Sequence, residues 1–217
     1  MLIKVNNVNI NYEEYGDGKP IILLHGNGGS YKNFDKLIVK LKENYKVYAI
    51  DSRCHGDSDD TYEISYELMA NDVIEFIKTK QIQNPIIYGF SDGAIVGLMI
   101  AIREPNILSK LIISGANINT KGVASFPLFV CKLNYLITKN KFAKMLINET
   151  GIIFEDLEKI IIPVHVIAGE KDVIKKEHTK LIAEKIPNST LEIISNETHG
   201  SYIVHSEKIY DIIKKYI

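Results

Sequence analysis

The sequence is poor in cysteine and has no long apolar run. Its two cysteines, Cys54 and Cys131, lie in neither a C-x-x-C nor a zinc-binding spacing, and a reducing compartment would keep both as free thiols. The longest apolar stretches, such as residues 94–102, fall far short of the roughly 20 residues that span a bilayer. The first residues lack the apolar core and cleavage site of a signal peptide. We therefore expect a cytoplasmic protein without a membrane partner.

An excess of either charge is also missing. The chain has 26 Lys and Arg residues against 27 Asp and Glu, for a formal net charge of -1. Because no concentrated positive field is available to hold phosphates, a nucleic-acid partner is not expected. The 217 residues, 46% of them hydrophobic, fall below the roughly 250 at which single cores stop growing. We expect one domain over residues 1–217.

Short apolar runs between turn residues predict buried parallel strands. They lie at residues 21–24, 46–50, 85–88, 111–114, 164–168 and 191–194. Residues 8–13 alternate between apolar and polar ahead of a Gly-Asp-Gly turn at 16–18, so the first strands are expected to be antiparallel, with a hairpin or bend. Between the later runs the apolar residues have helical spacing, as in residues 69–77. This alternation predicts an α/β fold: a mostly parallel sheet with helices on both faces.

The alternation stops at about residues 117–160. Apolar residues there, from Phe126 to Leu146, predict two or three short helices. No linker or repeat separates this segment as a second domain. We interpret it as a small helical cap inserted into the α/β domain.

A Gly-Phe-Ser-Asp-Gly motif at residues 89–93 follows a predicted strand and opens a predicted helix. This context is the one that G-x-S-x-G requires, since a sharp strand-to-helix turn exposes the central side chain. Ser91 is therefore the candidate nucleophile. A serine hydroxyl needs a base within hydrogen-bond reach, and the base needs a carboxylate to orient it.

Candidates for the acid and the base follow two late strands. Asp172 comes shortly after the strand at 164–168, with Glu170 as its close competitor. We favour Asp172 because two further residues carry the chain clear of the sheet. His199 follows the strand at 191–194 through a polar turn at 195–198 and precedes Gly200. The order Ser, acid, His is that of the G-x-S-x-G hydrolases.

Acyl transfer also requires backbone N–H donors for an oxyanion. One is expected from Asp92, directly after the nucleophile at a helix start, where the helix dipole helps. The other is expected from the His-Gly-Asn-Gly-Gly loop at 25–29, from Asn27 or alternatively Gly28. The loop matches no nucleotide-binding glycine motif. His25 is expected to be structural.

With these residues placed, the chain resembles the α/β-hydrolase superfamily. The similarity lies in the loop at 25–29, the Asp-Ser-Arg-Cys-His-Gly-Asp-Ser segment at 51–58, the motif at 89–93, residues 169–172 and His199-Gly200. The resemblance implies an eight-stranded sheet, a triad of Ser91, Asp172 and His199, an oxyanion hole of backbone amides, and no cofactor or metal.

Three departures accompany this resemblance. The family usually has glycine where Cys54 stands, so the loop after the fourth strand is expected to differ in shape. Asp92 places a carboxylate beside the nucleophile, and we expect it to turn away from the oxyanion and cap the following helix. The cap is short, which predicts an open, shallow pocket.

The sequence thus predicts a serine esterase that cleaves a small carboxylic ester, thioester or amide through an acyl-enzyme on Ser91. The alternatives are a C–C bond hydrolase or lyase with the same triad, and a non-catalytic receptor for a small ligand on this scaffold. The expected partner is a small ester-like substrate.

Overall fold

Eight strands form one sheet in the computed structural model, which describes residues 1–217. The strands are β1 (Leu2–Val5), β2 (Val8–Tyr15), β3 (Lys19–Leu24), β4 (Tyr45–Ile50), β5 (Ile86–Phe90), β6 (Lys110–Ser114), β7 (Val164–Lys171) and β8 (Ser189–Thr198). Their order in the sheet is β1-β2-β4-β3-β5-β6-β7-β8, and all neighbours from β4 to β8 are parallel. The predicted α/β fold with a mostly parallel sheet is confirmed.

Seven α-helices accompany the sheet. They are α1 (Asp35–Leu41), α2 (Tyr66–Thr79), α3 (Asp92–Arg103), α4 (Ser125–Thr138), α5 (Lys141–Ile147), α6 (Lys176–Lys185) and α7 (Lys208–Ile213). Helices α2, α3 and α6 contribute to one hydrophobic cluster, and α1 and α7 contribute to the other. Because β3 is covered on both faces, Ile21 to Leu24 are fully buried, as the continuous apolar run predicted.

The antiparallel start of the sheet contains a strand that the sequence patterns did not predict. β1 pairs with β2 through a tight turn at Asn6 and Asn7, whose φ angles of 46° and 64° fit a type I′ hairpin. The Gly-Asp-Gly turn at 16–18 makes a bend rather than a hairpin, since β2 pairs with β4 and not with β3. Asparagine tolerates positive φ, and this favours the Asn-Asn turn.

The segment between β6 and β7 holds α4, α5 and a short 3-10 helix at Phe154–Lys159. Helix α4 has no buried residue, whereas α5 buries Ala143 and Met145. No helix in the molecule has the length and apolar character needed to cross a bilayer. Helices α4 and α5, here called the cap helices, lie beside the site described next.

Candidate active site

Parallel strands bring the candidate residues to one edge of the sheet. Asn27 follows β3, Ser91 follows β5, Asp172 follows β7 and His199 follows β8. Because the carboxyl ends of parallel strands share an edge, residues far apart in sequence meet there.

Strands β7 and β8 both run further than predicted. They extend through Lys171 and Thr198, which pair with each other beyond a bulge. The predicted polar turn at 195–198 is therefore part of a strand, and His199 follows the sheet directly.

Ser91 lies at the turn between β5 and α3 in a strained conformation. Its φ of 53° and ψ of -113° are rare for a residue with a side chain, and such strain persists only where the surroundings enforce it. The Ser91 N–H donates to the carbonyl of Ser114 at 2.8 Å. A Cβ on Gly93 would lie 2.1 Å from the Leu24 carbonyl oxygen. The turn therefore needs glycine at position 93.

The side chains of Ser91, His199 and Asp172 form one hydrogen-bonded chain. His199 Nε2 lies 3.0 Å from Ser91 Oγ, and His199 Nδ1 lies 2.7 Å from Asp172 Oδ1. With the Nδ1 proton donated to the carboxylate, Nε2 is free to accept the serine proton. The structure thus brings the three predicted residues into the geometry that general-base activation of a serine requires.

Asp172, rather than Glu170, occupies the acid position. Its side chain is 2% exposed, and Oδ1 also accepts the Ile174 N–H at 2.8 Å. Its other carboxylate oxygen is buried without a hydrogen-bond partner. The charge of Asp172 is therefore available to stabilise an imidazolium on His199. Glu170 is exposed and accepts the Asn196 N–H at 2.9 Å, so it only ties the ends of two strands together.

Gly115 is part of the site, and the sequence patterns did not single it out. It follows β6 with a φ of +64°, and a Cβ there would lie 2.7 Å from His199 Cε1 and 2.9 Å from Nδ1. Any side chain at this position would push the imidazole away from Asp172. The only signal in the sequence is a glycine directly after a predicted strand.

The loop after β3 offers one free backbone donor. Gly28 N–H donates to His55 Nε2 at 3.0 Å, so the alternative oxyanion donor is already committed. The Asn27 N–H has no acceptor within the protein. Asp92 is the first residue of α3, so its N–H lies outside the helical hydrogen-bond ladder. The N–H groups of Asn27 and Asp92 are thus both without an acceptor in the protein.

Asp92 does not cap α3 as expected. Its buried carboxylate accepts from Asn27 Nδ2 at 2.9 Å and from the Tyr66 hydroxyl at 3.0 Å, and not from a backbone N–H of the helix. The prediction of a cap was wrong because these two donors offer the carboxylate partners at the loop and at α2. Burial raises the pKa of Asp92, and the hydrogen bonds from Asn27 and Tyr66 oppose that rise.

Two histidines, His25 and His55, tie the loop at 25–29 to the loop after β4. His25 accepts the Ser52 N–H at Nε2 over 3.0 Å, with Nδ1 2.8 Å from the Gly26 carbonyl. Burial lowers the pKa of His25 to about 4, which keeps the ring neutral at pH 7. His55 accepts from Gly28, as described above.

Cys54, where the family usually has glycine, adopts the left-handed backbone conformation that favours glycine, with a φ of 65°.

A cavity of about 440 Å³ opens onto Ser91 and His199. Its walls carry no Asp, Glu, Lys or Arg, and α4 and α5 contribute Pro127, Leu128 and Leu146. A larger cavity of about 640 Å³ lies between residues 62–68 and the cap helices. Ser91, Asp172 and His199 do not line that larger cavity, so the smaller one is the candidate substrate site.

No group of three or more His, Cys, Asp or Glu side chains is arranged so that it could hold a metal ion.

A serine on a sharp strand-to-helix turn in such a sheet is the arrangement of the α/β hydrolase class. A family model described as alpha/beta hydrolase fold matches residues 19–132, more than half of the chain. The chain therefore belongs to this family.

Individual relatives also match only part of the chain. An abhydrolase domain-containing protein of Schizosaccharomyces pombe is 36% identical over 96 residues, which cover 43% of this chain and 36% of that protein. Ethanol acetyltransferase 1 of Hanseniaspora uvarum is 32% identical over 97 residues, 44% of this chain and 29% of the enzyme. The matched segment thus spans about a third of each relative.

Solved structures match over nearly the whole length. The meta-cleavage product hydrolase CumD of Pseudomonas fluorescens IP01 superposes with a TM-score of 0.84 at 20% identity, over 99% of this chain and 96% of that one. At this identity the likeness demonstrates the fold. Lipases and esterases also occur among the matched proteins.

Proposed function

We propose that this protein is a serine hydrolase that cleaves a small carboxylic ester, or a thioester or amide, through an acyl-enzyme on Ser91. The observation that carries the proposal is the chain of hydrogen bonds from Asp172 through His199 to Ser91. A free serine hydroxyl is a weak nucleophile at neutral pH, and this arrangement supplies the base that activates it.

The reaction follows from the positions of these groups. As Ser91 Oγ attacks the substrate carbonyl carbon, its proton passes to His199 Nε2, and the carbonyl oxygen becomes an oxyanion. The amides of Asn27 and Asp92 donate to that oxyanion, and removal of one such donor typically costs about 3 kcal/mol. The tetrahedral intermediate then expels the alcohol, which takes the proton from His199. Water attacks the acyl-serine by the same route in reverse and releases the acid.

The cavity limits the substrate class. At about 440 Å³ it suits a small molecule. Its walls lack charged side chains, and apolar residues such as Phe90, Val123 and Val204 line much of it. Burying a charge there without a partner would be costly. The substrate is therefore a neutral ester with a short or medium apolar acyl group.

A second candidate is transfer of the acyl group to an alcohol instead of water. The name of the similar ethanol acetyltransferase favours it, and the acyl-enzyme would be the same intermediate. The two functions differ only in which acceptor attacks it. A C–C bond hydrolase and a ligand receptor have no further support.

Turnover of p-nitrophenyl esters from acetate to octanoate tests the proposal. Ser91→Ala should lower kcat/KM by at least about 10⁴-fold, while Ser109→Ala, at an exposed serine, should leave it unchanged. Adding ethanol and measuring free acid against ethyl ester distinguishes hydrolysis from acyl transfer. Undiminished turnover by Ser91→Ala would refute both candidates.

A further inference from the structure

Helix α4 has an apolar side that faces solvent. Six of its large apolar residues are 44–76% exposed: Phe126, Phe129, Val130, Leu133, Leu136 and Ile137. At about 100° per residue they occupy one continuous arc of about 120°. A surface helix normally turns such a stripe toward the core. Here the apolar stripe points outward.

The opposite side of α4 packs against the rest of the chain. Pro127, Leu128 and Cys131 line the cavity that contains Ser91. Even these residues are only partly buried. The helix is thus held by one narrow side, and its exposed stripe is a contiguous apolar patch of the kind that marks an interaction surface.

The segment that carries this stripe is itself rich in lysine. Residues 105–148 contain six lysines and no aspartate or glutamate, although the whole chain has a net charge of -1. Lys121, Lys132 and Lys175 line a shallow depression of about 300 Å³ together with Phe129 of the stripe. One carboxylate reaches its rim, where Glu149 accepts from the Thr120 hydroxyl at 3.1 Å. Basic and apolar groups therefore share one surface.

We propose that α4 lies on an anionic lipid surface. Its six apolar side chains would enter the boundary between headgroups and acyl chains, and Lys121, Lys132 and Lys175 would contact the phosphates. Helices that lie in a membrane interface combine an apolar face with flanking lysines in this way. The expectation of no membrane partner depended on the absence of a spanning segment, and a helix on the surface needs none.

The positive charge near α4 favours an anionic lipid surface over a second copy of the chain. Two copies that met through α4 would bring their own lysines close together, and like charges at an interface oppose association. A lipid headgroup instead supplies the opposite charge to each lysine.

Co-sedimentation with vesicles tests the proposal, with Ser91→Ala as the parent so that no ester cleavage alters the lipid. The vesicles are phosphatidylcholine alone or with 30% phosphatidylglycerol. The parent should bind the anionic vesicles at least tenfold more tightly than the neutral ones. Adding Phe126→Ser and Phe129→Ser should weaken that binding at least tenfold. Replacing Lys121, Lys132 and Lys175 by glutamine should remove the preference for anionic lipid.

Matched controls use exposed residues elsewhere. Leu2→Ser with Ile161→Ser removes two apolar side chains of similar exposure. Replacing Lys4, Lys36 and Lys42 by glutamine removes three exposed lysines in β1 and at α1. Both control variants should bind as the parent does.

Three results would overturn the proposal. One is that the parent fails to bind anionic vesicles, and another is that the α4 variants bind as well as their controls. The third is a dimer in light scattering that Phe126→Ser and Phe129→Ser convert to monomer, because a second copy would then cover the stripe. Ester turnover plays no part in these readouts, so they are independent of the proposed function.

Discussion

The strand-end site and the cap helices, which together form the cavity, are built in opposite ways. At the strand ends, hydrogen bonds of 2.7–3.0 Å join Asp172 to His199, His199 to Ser91, and Gly28 to His55. Helix α4 contributes apolar side chains, none of them buried. The strand ends, which hold Ser91, Asp172 and His199, are fixed by hydrogen bonds, whereas α4 is held by few contacts.

This contrast indicates how the two regions respond to change. A fixed site loses activity when one atom is displaced, because reacting groups must keep near-attack geometry. A loosely packed helix has little packing to lose. Matched substitutions in the two regions test that difference.

The largest expected effect is on activity at Gly115. Gly115→Ala places a Cβ 2.7 Å from His199 Cε1, so the imidazole must leave its position between Asp172 and Ser91. We expect kcat to fall by about 10²- to 10³-fold, as for a displaced catalytic group. Steady-state kinetics with a p-nitrophenyl ester measures this.

Gly151→Ala is the control for backbone strain. Gly151 also has positive φ, at +85°, yet nothing lies within 4 Å of a Cβ there. Both substitutions therefore place alanine at a positive φ, with similar backbone strain, but only the Gly115→Ala side chain contacts His199. An equal loss of activity in the two would contradict the proposed contact.

The next effect concerns stability and pH. The pKa of His25 is lowered by burial from 6.5 to about 4, so the unfolded chain binds a proton in this range that the folded chain does not. Stability from this group is complete above pH 6.5 and is lost as pH falls toward 4. The loss reaches about 3 kcal/mol for one such group. Urea unfolding between pH 7 and 4 measures it.

His165 provides the control for the pH range from 6.5 to 4. Burial also lowers its pKa to about 4, so it adds to the same loss. His165→Gln should remove its share and leave those of His25 and of His178, whose pKa is also lowered by burial. Unfolding free energy that stays constant from pH 6.5 to 4.5 in His165→Gln would refute a neutral, buried His25.

A smaller effect is expected at Asp92, whose carboxylate holds the loop at 25–29 through Asn27. Asp92→Ala should lower kcat by about 10- to 100-fold with little change in KM, because a misplaced oxyanion donor acts on the transition state. Asp92→Asn keeps an oxygen acceptor for Asn27 Nδ2 and should restore most of the rate.

The double variant Asp92→Ala with Asn27→Ala tests whether the two residues act as a unit. Each single change already breaks the 2.9 Å hydrogen bond, so the double variant should be little worse than either one. Additive losses in kcat would show that Asp92 acts independently of Asn27.

The smallest effect is expected in the cap. Leu136→Ala on α4 should change the free energy of unfolding by less than about 0.5 kcal/mol, as exposed positions do. Leu98→Ala, the same substitution at a fully buried position of α3, should cost about 2–5 kcal/mol. Urea unfolding of both in dilute solution compares them, and similar costs would mean that α4 is packed as tightly as the core.

The same division explains what the sequence could predict. The runs at 21–24 and 111–114 became β3 and β6 because a strand covered on both faces must be apolar throughout. The positions of Ser91 and Asp172 followed because each comes after a buried strand, and that of His199 because it comes after the apolar run of the edge strand β8. Strand β1 was missed, since Leu2–Val5 is short and its hairpin depends on two asparagines.

Contacts between loops were beyond the sequence patterns. Nothing local indicates that Asp92 meets Asn27 and Tyr66, residues 65 and 26 positions away. The choice between Asn27 and Gly28 depended on His55, which lies in another loop. The outward stripe of α4 has the periodicity of a core helix, so its direction is visible only once the helix is placed.

The most direct test of the central claim is covalent labelling with a fluorophosphonate followed by peptide mass spectrometry. We expect one adduct, on Ser91, that forms at least 10²-fold more slowly in His199→Ala. Labelling at another residue, or labelling of Ser91 at an undiminished rate without the imidazole, would contradict a nucleophile activated by His199.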